Sequence, residues 1–590
     1  MRNKLSARDR AFQYKKEGFY CTDNSTVMCK FCNTKVSWDR KDTIEKHLKS
    51  AKHVASLAAT KEETTKLQTS VASCFNKVVK DKKSADYLGK RVTETFVKAN
   101  IPLEKLNNEH MVNFMNEFIE GSGALPCVKT LREKHLPRLN MEREENIKEK
   151  VKGKHLAVCC DETTDKQGRC VFVIIFKIIE ASHQVEIVVG DVHILETADA
   201  KSCSRAILDS LNKYNISYDS VLALVSDSAR YMGKCFDTLT NLMSDNVVVI
   251  QCWAHKLNLI LNVLGKHLPE LQNATSKIKS AFLNTRKRKH LFRQFLDDKY
   301  EAGRVPLFPM PVLTRWSSWY ESVAYVSDYI EAIVEFMKSD DIASVSNVGV
   351  QYLASLSQEQ VLNVKVQAAF IKETAKGIVD LTKLLEGSSY PCSNILCGNL
   401  RKVEQVLQLA EAGNFGEETS LALQSCGRDV AKAQVKSALV KAASHGYTKL
   451  LALISSDPAS HLYSELSVFD PAQILITEVT KDLGKKLKKM ALFKDCDESQ
   501  LLQGYKELQF LVKKQLGDKS DASLDLIAIL LSLSVNHPEF SKGALKSVWL
   551  PCANADCERF FSKYSSVLSD QRQRLNAENV AILSEIYFEG

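Results

Sequence analysis

The sequence predicts a multidomain α+β protein: a small metal-stapled module, a helical region, and an α/β core interrupted by a large all-helical insertion. Three observations carry that expectation. Cysteines and histidines at ligand spacing crowd into a short, basic N-terminal segment. β-Branched apolar runs bounded by turn residues recur between 151 and 265. From about 266 to 545 apolar residues recur three and four apart, and no convincing strand is found.

The bulk properties bound the alternatives. A chain of 590 residues can hold several domains and a large core. With 45% hydrophobic and 26% charged residues it reads as an ordinary globular protein. The longest apolar run, "LIAILLSLSV" at 526–535, is too short to span a bilayer and reads as a buried helix, so no membrane partner is expected. "MRNKLSARDRAFQYKK" lacks the apolar centre of a signal peptide. Seventeen cysteines then point to a reducing compartment, with thiols or metal ligands rather than disulfides. The net charge of +9 is concentrated: residues 1–55 carry 13 Lys+Arg against 6 Asp+Glu. Such a patch is the footprint of a phosphate-binding module or a solvated basic tail.

Residues 1–58 resolve that choice. In "MCKFCNTKVSWDRKDTIEKHLKSAKH", Cys29 and Cys32 form C-x2-C, and His47 and His53 follow as H-x5-H. Two thiolates on a hairpin turn and two imidazoles on a following helix make a closed tetrahedral Zn²⁺ site. "MCKFC" and "KVSW" read as short strands, and Asp39 or Asp42 is placed to cap the helix bearing His47. So short a region cannot build its own core, so the metal supplies folding energy. Arg40, Lys41, Lys46, Lys49 and Lys52 on the exposed helix side suit DNA phosphates and base edges. A protein-binding finger is the alternative. The pattern resembles a BED-type finger, a class found at the N-termini of transposases and their derivatives. Residues 59–82 are polar and read as a linker, and 83–150 read as helical. "ANIPLEKLNNEHMVNFMNEFI…LPCVKTLREKHLP" resembles the region after the finger in the CGG-triplet-repeat-binding family.

From 151 the period changes. "HLAVCCDETTD" is a short strand ending at Asp161; strands follow at 170–179 and 183–194, a helix at 200–214, a strand at 220–229 that delivers Asp227, and a strand at 246–252. This order is that of an RNase H-like fold, in which the first and fourth strands lie side by side and parallel. Asp161 and Asp227 would then emerge together, and adjacent carboxylates repel unless cations neutralise them. A pair of divalent metals suits them, the arrangement used for in-line phosphoryl chemistry. In "ADCERFFSKYSS", 555–566, Cys557, Phe560, Phe561 and Tyr564 make an apolar stripe, with Glu558 at its border among small residues. A rim glutamate and a catalytic carboxylate are both open for it.

The order of motifs resembles the hAT transposase superfamily. "DETTD" carries the first acid, Asp161; "SDSARYM" the second, Asp227; "CWAHKLNL" the Cys-x-x-His block, Cys252 and His255; "TRWSSW" the Arg-Trp block, Arg315 and Trp316; and "LPCANADCERFFSKYSSVLSDQRQRL" the C-terminal block, with Glu558 before Arg559. The resemblance implies a catalytic core split into 151–265 and 546–590 by a helical insertion at 266–545, the last block also serving dimerisation. It implies Asp161, Asp227 and Glu558 holding Mg²⁺ or Mn²⁺. It further implies cleavage of double-stranded DNA at transposon ends, hairpins on the flanking DNA, joining to target DNA, a dimer or higher oligomer, and a nuclear location. A domesticated DNA-binding derivative that no longer cuts is the rival. Cys252 and His255 would position DNA, against a buried cysteine and a backbone-bonded histidine. Trp316, with Trp319 as competitor, would stack on a flipped base. "RKRKH", 286–290, admits a DNA-facing surface, a nuclear localisation signal or a solvated face; "GKKLKKM", 484–490, reads as a solvated face.

Overall fold

A computed structural model describes residues 6–23, 25–57, 85–119, 125–244, 247–301, 303, 305–311, 317–339, 342, 345–387, 390–427, 429–516, 524–570, 572 and 574–590. The chain divides into two compact units, Met1–Phe96 with Ile101–Leu139, and Val97–Asn100 with Asn140–Gly590. The whole is mostly helical, with one sheet in each unit.

In the first unit, a helix at Ala7–Gln13, closed by a Ser6/Asp9 capping box, packs on a three-stranded antiparallel meander. The strands are β1 (Phe19–Asp23), β2 (Thr26–Cys29) and β3 (Thr34–Val36). Sequence patterning finds β2 and β3 but not β1, whose "FYCTD" has no clean alternation. The β2–β3 turn places Asn33 at φ +47°, a left-handed conformation that asparagine tolerates. The helix Lys41–Leu48 starts at Arg40 with no side-chain cap. Asp39 and Asp42 therefore do not cap it as expected. Asp39 lies before the cap and accepts from the Ser37 hydroxyl, while Asp42 already sits inside the first turn. The helices that follow gather Val92, Leu103, Leu106, Met115, Val128 and Leu131 into a separate small core.

The second unit is built on β4 (His155–Thr164), β5 (Cys170–Ile179), β6 (Glu186–Leu195), β7 (Val221–Ser226) and β8 (Val248–Gln251). Their order across the sheet is β6-β5-β4-β7-β8. β4/β5 and β5/β6 are antiparallel, whereas β4/β7 and β7/β8 are parallel. The β4–β5 hairpin turns on Gly168, at φ +76°. The helix Ala200–Lys213, opened by an Asp199 capping box, carries the chain across the sheet so that β7 returns parallel to β4. One sheet face (Val158, Cys160, Phe172, Ile174, Phe176) packs on that helix and on Arg230–Thr240. The other face (Ala157, Cys159, Val171, Val173, Ile175) shares a single apolar core with the helices of 266–545 and with the helix Ala555–Val567. Between 266 and 545 the described residues contain no strand.

Two strand ends differ from expectation. β4 does not stop at Asp161 but runs to Thr164, because β5 keeps pairing with it as far as Thr164–Cys170. β7 stops at Ser226, leaving Asp227 just beyond the strand. Asp161 is thus held on one side by a ladder and left open on the other. Two basic runs also resolve. In 484–490 Gly484, Leu487 and Met490 turn inward and the lysines stay exposed, the expected solvated face. In 286–290 Arg288 is buried and donates to the Ala281 carbonyl, so that run is not a uniform surface. Within 526–535 the helix Leu526–Ser532 buries Leu526, Ile527, Ile529 and Leu530, while Val535 beyond its end is exposed, and no described helix is long and apolar enough to cross a membrane.

Candidate metal centre and nucleic-acid interface

The β2–β3 turn and the helical residues after it bring Cys29, Cys32, His47 and His53 together, with one donor atom from each within 4.8 Å of all the others. Among the described residues this is the one group of three or more potential ligands that closes so far. A tetrahedral zinc with bonds of about 2.3 Å to sulfur and about 2.05 Å to nitrogen requires S···S edges of about 3.8 Å and S···N edges of about 3.5 Å. Cys29 Sγ and Cys32 Sγ are 3.8 Å apart. The sulfur–nitrogen separations are 3.4 Å (Cys29 to His53 Nδ1), 3.6 Å (Cys32 to His47 Nε2) and 3.2 Å (Cys32 to His53 Nδ1). Donor set and edge lengths fit the ion, so this cluster could bind zinc. Without a metal, burial and the Cys29 thiol push Cys32 up, and burial with His53 pushes His47 down. Phe19 and Phe31 stand edge-on to His47 and His53 and wall the site. Arg40, Lys41, Lys46, Lys49 and Lys52 are exposed, Lys41 pairing with Glu45 at 3.5 Å.

In the second unit the sheet carries two of the predicted acids to one edge. Cys159 pairs with Val225 in parallel register, so Asp161, still inside β4, and Asp227, just past the end of β7, stand two residues on at the same level of neighbouring chains. Glu558 arrives from the first turn of the helix Ala555–Val567. Burial first, then the charges of Glu558 and Asp227, push the Asp161 carboxyl well above the usual carboxylate range. Burial pushes the Glu558 carboxyl up, the His255 imidazole draws it back down in part, and the charge of Asp227 adds to the rise. The three acids therefore feel one another across one edge, without closing to the 4.8 Å of the finger ligands.

The segment before that helix fixes its place. Trp253 N donates to Cys552 O at 3.0 Å, and Asn554 Nδ2 donates to Cys160 O at 2.9 Å, taking up β4 where β7 has ended. Cys252 is buried, and its sulfur accepts the Asn554 N–H at 3.2 Å. It stands behind the surface on which DNA contact was expected, while half-buried His255 reaches the Glu558 side. Asp556 lies on the helix face opposite Glu558, fully buried, 2.5 Å from Lys177 of β5 and bonded by Arg559. Burial would push the Asp556 carboxyl up, but Lys177 and Arg559 outweigh it and hold it low. Arg559 also donates to the Glu386 carbonyl. Arg315 and Trp316 lie outside the described residues; Trp319 packs partly buried against the main core.

Sequence reasoning missed Asn554 and the Lys177–Asp556 pair. An Asn before a helix reads as a cap, yet this one spends its amide on β4. Lys177 did leave a signal: a lone lysine inside "CVFVIIFKII" demands a buried anion somewhere else in the chain.

Comparison with known proteins places likeness in the first unit. Residues 1–59 match the CGGBP1 N-terminal domain and residues 80–138 the CGGBP1 helical domain. The CGG triplet repeat-binding protein 1 of Mus musculus and that of Homo sapiens are each 29% identical to this chain over 123 residues, 20% of this chain and 70% of theirs. The finger and the helices after it are thereby similar to proteins named for binding a CGG triplet repeat.

Proposed function

We propose that this chain is a nuclear DNA-binding protein of transposase descent, with the N-terminal finger as its reading end. The observation that carries this is the tetrahedral Cys29–Cys32–His47–His53 cluster, set beside an exposed basic helix in a region similar to proteins named for binding a CGG triplet repeat. Zinc is structural here: it fixes the helix whose Arg40, Lys41 and Lys46 meet phosphates and base edges. The chain acts as a dimer or higher oligomer, so that two sites on double-stranded DNA are held at once. The test is binding of the full-length, zinc-loaded protein to a CGG-repeat duplex and to a scrambled duplex of equal composition, across a salt series. Preference for the repeat, with affinity falling steeply in salt, is expected. Equal binding of both, unaltered in Cys29→Ser, would sink the reading.

The acidic edge favours a second reading, an active hAT-type transposase. The strand order and parallel β4/β7 pairing suit an RNase H-like core. Asp161, raised by burial beside Glu558 and Asp227, suits a site completed by cations. These three carboxylates would hold Mg²⁺ or Mn²⁺, which when bound supplies Lewis-acid activation of water and stabilisation of the leaving oxygen. The chain's own part is placement. Asn554 ties the segment before the catalytic helix to β4, Asp556 and Lys177 set its rotation, and His255 offers a donor beside Glu558 for a phosphate oxygen. In this reading Arg315 binds phosphate and Trp316 stacks on an extrahelical base. Metal-dependent nicks and hairpins at inverted repeats flanking the gene, from wild type and not from Glu558→Gln, distinguish an active enzyme from a domesticated binder.

A further inference from the structure

The corner between the helices Pro269–Phe282 and Arg286–Lys299 concentrates positive charge. From 271 to 296 the chain has seven Lys or Arg and no Asp or Glu. Three of those cations are spent on backbone carbonyls. Lys279 donates to Pro311 O at 3.0 Å, Arg293 to Val305 O at 2.5 Å, and buried Arg288 to Ala281 O. Arg286, Lys287 and His290 are exposed and Lys289 is half-buried, and no carboxylate among the described residues pairs with any of them. Arg288, Phe292 and Leu296 turn inward at helical spacing, which leaves Arg286, Lys287 and His290 on the outward face with Lys289 at its flank. The middle of the run is withdrawn, so 286–290 is not presented as one linear peptide.

This placement works against the helix. Arg286, Lys287 and Lys289 crowd the positive end of the macrodipole, with no acid in the first turn, and Asp297 and Asp298 fall toward the other end. Arg286 and Lys289, three residues apart, add like-charge repulsion. The helix Lys481–Lys489 has the opposite, favourable order: Asp482 in its first turn, and Lys486, Lys488 and Lys489 in its last. Elsewhere in the insertion lysines meet acids on neighbouring helices, Lys365 with Glu331 at 3.1 Å, Lys372 with Asp328 at 2.7 Å and Lys383 with Glu321 at 3.4 Å. Packing gives no reason for unpaired cations at the wrong end of a helix; a polyanion outside the chain does.

We propose that the outward face of the helix Arg286–Lys299 is a second contact for the backbone of duplex DNA, made by residues other than the finger's. From Arg286 to His290 the helix rises about 6 Å. A DNA strand advances about 3.4 Å per phosphate, so the face meets about two phosphates of one strand. Contacts of this kind hold a duplex of any sequence and deepen the salt dependence of binding. The identity of the polyanion rests on the DNA-binding reading above; the unpaired charge does not.

The experiment gives full-length, zinc-loaded protein a brief pulse of N-hydroxysuccinimidyl acetate, with and without a scrambled duplex, and reads each lysine by mass spectrometry. Lys287 and Lys289 are expected to label several-fold less with DNA, whereas Lys486, Lys488 and Lys489 label alike in both. The triple variant Arg286→Gln, Lys287→Gln, Lys289→Gln should lower the salt slope of duplex binding by about two. The charge-keeping exchange Arg286→Lys, Lys287→Arg, Lys289→Arg should hold the wild-type slope. A thermal melt by circular dichroism at or above that of wild type shows that the triple variant has folded, since removing like charges relieves the first turn. Unchanged labelling of Lys287 and Lys289 on bound DNA, equal protection of the helix Lys481–Lys489, or an unmoved salt slope overturns this proposal and leaves the finger reading standing. A protein that binds no duplex at all overturns both.

Discussion

Removing zinc from the finger is the perturbation whose size follows most directly from geometry. With Cys29 Sγ and Cys32 Sγ 3.8 Å apart, the centre of a regular tetrahedron on that edge lies about 2.3 Å from each sulfur, the ordinary Zn–S bond. The polypeptide thus presents the ligand cage at full size, and binding needs no rearrangement of the turn. The apolar core beneath it is small, Ala7, Ala11, Phe19, Val27, Val36 and Ile44 with Cys29 itself. The metal therefore supplies most of the folding energy of this segment, on the order of 10–16 kcal/mol as apparent binding energy at neutral pH. Purified protein is expected to carry about one zinc per chain, with tetrahedral ligand-field bands after cobalt exchange. Chelation should erase amide-exchange protection across β2, β3 and the helix Lys41–Leu48, and leave the five-stranded sheet unchanged. Cys32→Ser should do both without chelator. Protection of β2 and β3 that survives complete zinc removal would refute the argument, because the core would then be sufficient by itself.

Three further outcomes are expected. Ala at Arg40 or at Lys46 should each reduce the salt slope of DNA binding by about one, measured by anisotropy, with little change in any preference for sequence. Asp161→Asn should raise the melting temperature at neutral pH by roughly 2 °C or more. The folded-state carboxyl is raised above the unfolded 3.8, so its contribution is full below that pH and lost as pH rises through the folded value; a melting temperature unmoved by Asp161→Asn would contradict this. For Asp556, on the helix Ala555–Val567, the sign reverses. Asp556→Asn, which leaves Lys177 buried and charged, should cost about 3–5 kcal/mol in the denaturation transition of the second unit, whereas Lys177→Met with Asp556→Leu should fall within about 1 kcal/mol of wild type. Asp556 is held below 3.8 when folded, so the wild-type contribution is present above that pH and fades as pH falls below it.

What the sequence disclosed follows from the range of the forces involved. The finger's cluster of potential ligands was legible because ligand spacing is local: Cys29, Cys32, His47 and His53 fall within one short segment. The five strands of the second unit were legible because β-branched runs such as "CVFVIIFKII" declare themselves. Their ends were not, since Asp161 lies inside β4 only because a neighbouring strand continues to pair with it. β1 was invisible because its pairing comes from β2 rather than from its own pattern. For Cys252 the sequence leaves a DNA-positioning role and a buried cysteine both open; the residue is buried, and its partner Asn554 lies in the last tenth of the chain, beyond the reach of local pattern. The Lys177–Asp556 pair shows the same distance effect, with the lysine conspicuous and its anion unidentifiable.

More than half of the chain lies between Asp227 and Glu558, and this orders events during synthesis. β4 and β7 leave the ribosome early, with Cys160 O still lacking the Asn554 amide and Asp161 lacking its third neighbour. A message cut short after residue 58 and before residue 546 yields a polypeptide with the finger residues and an incomplete acidic edge. Its sheet would also lack the cover that Phe560, Phe561 and Tyr564 provide. Such a fragment keeps all four residues of the Cys29–Cys32–His47–His53 cluster.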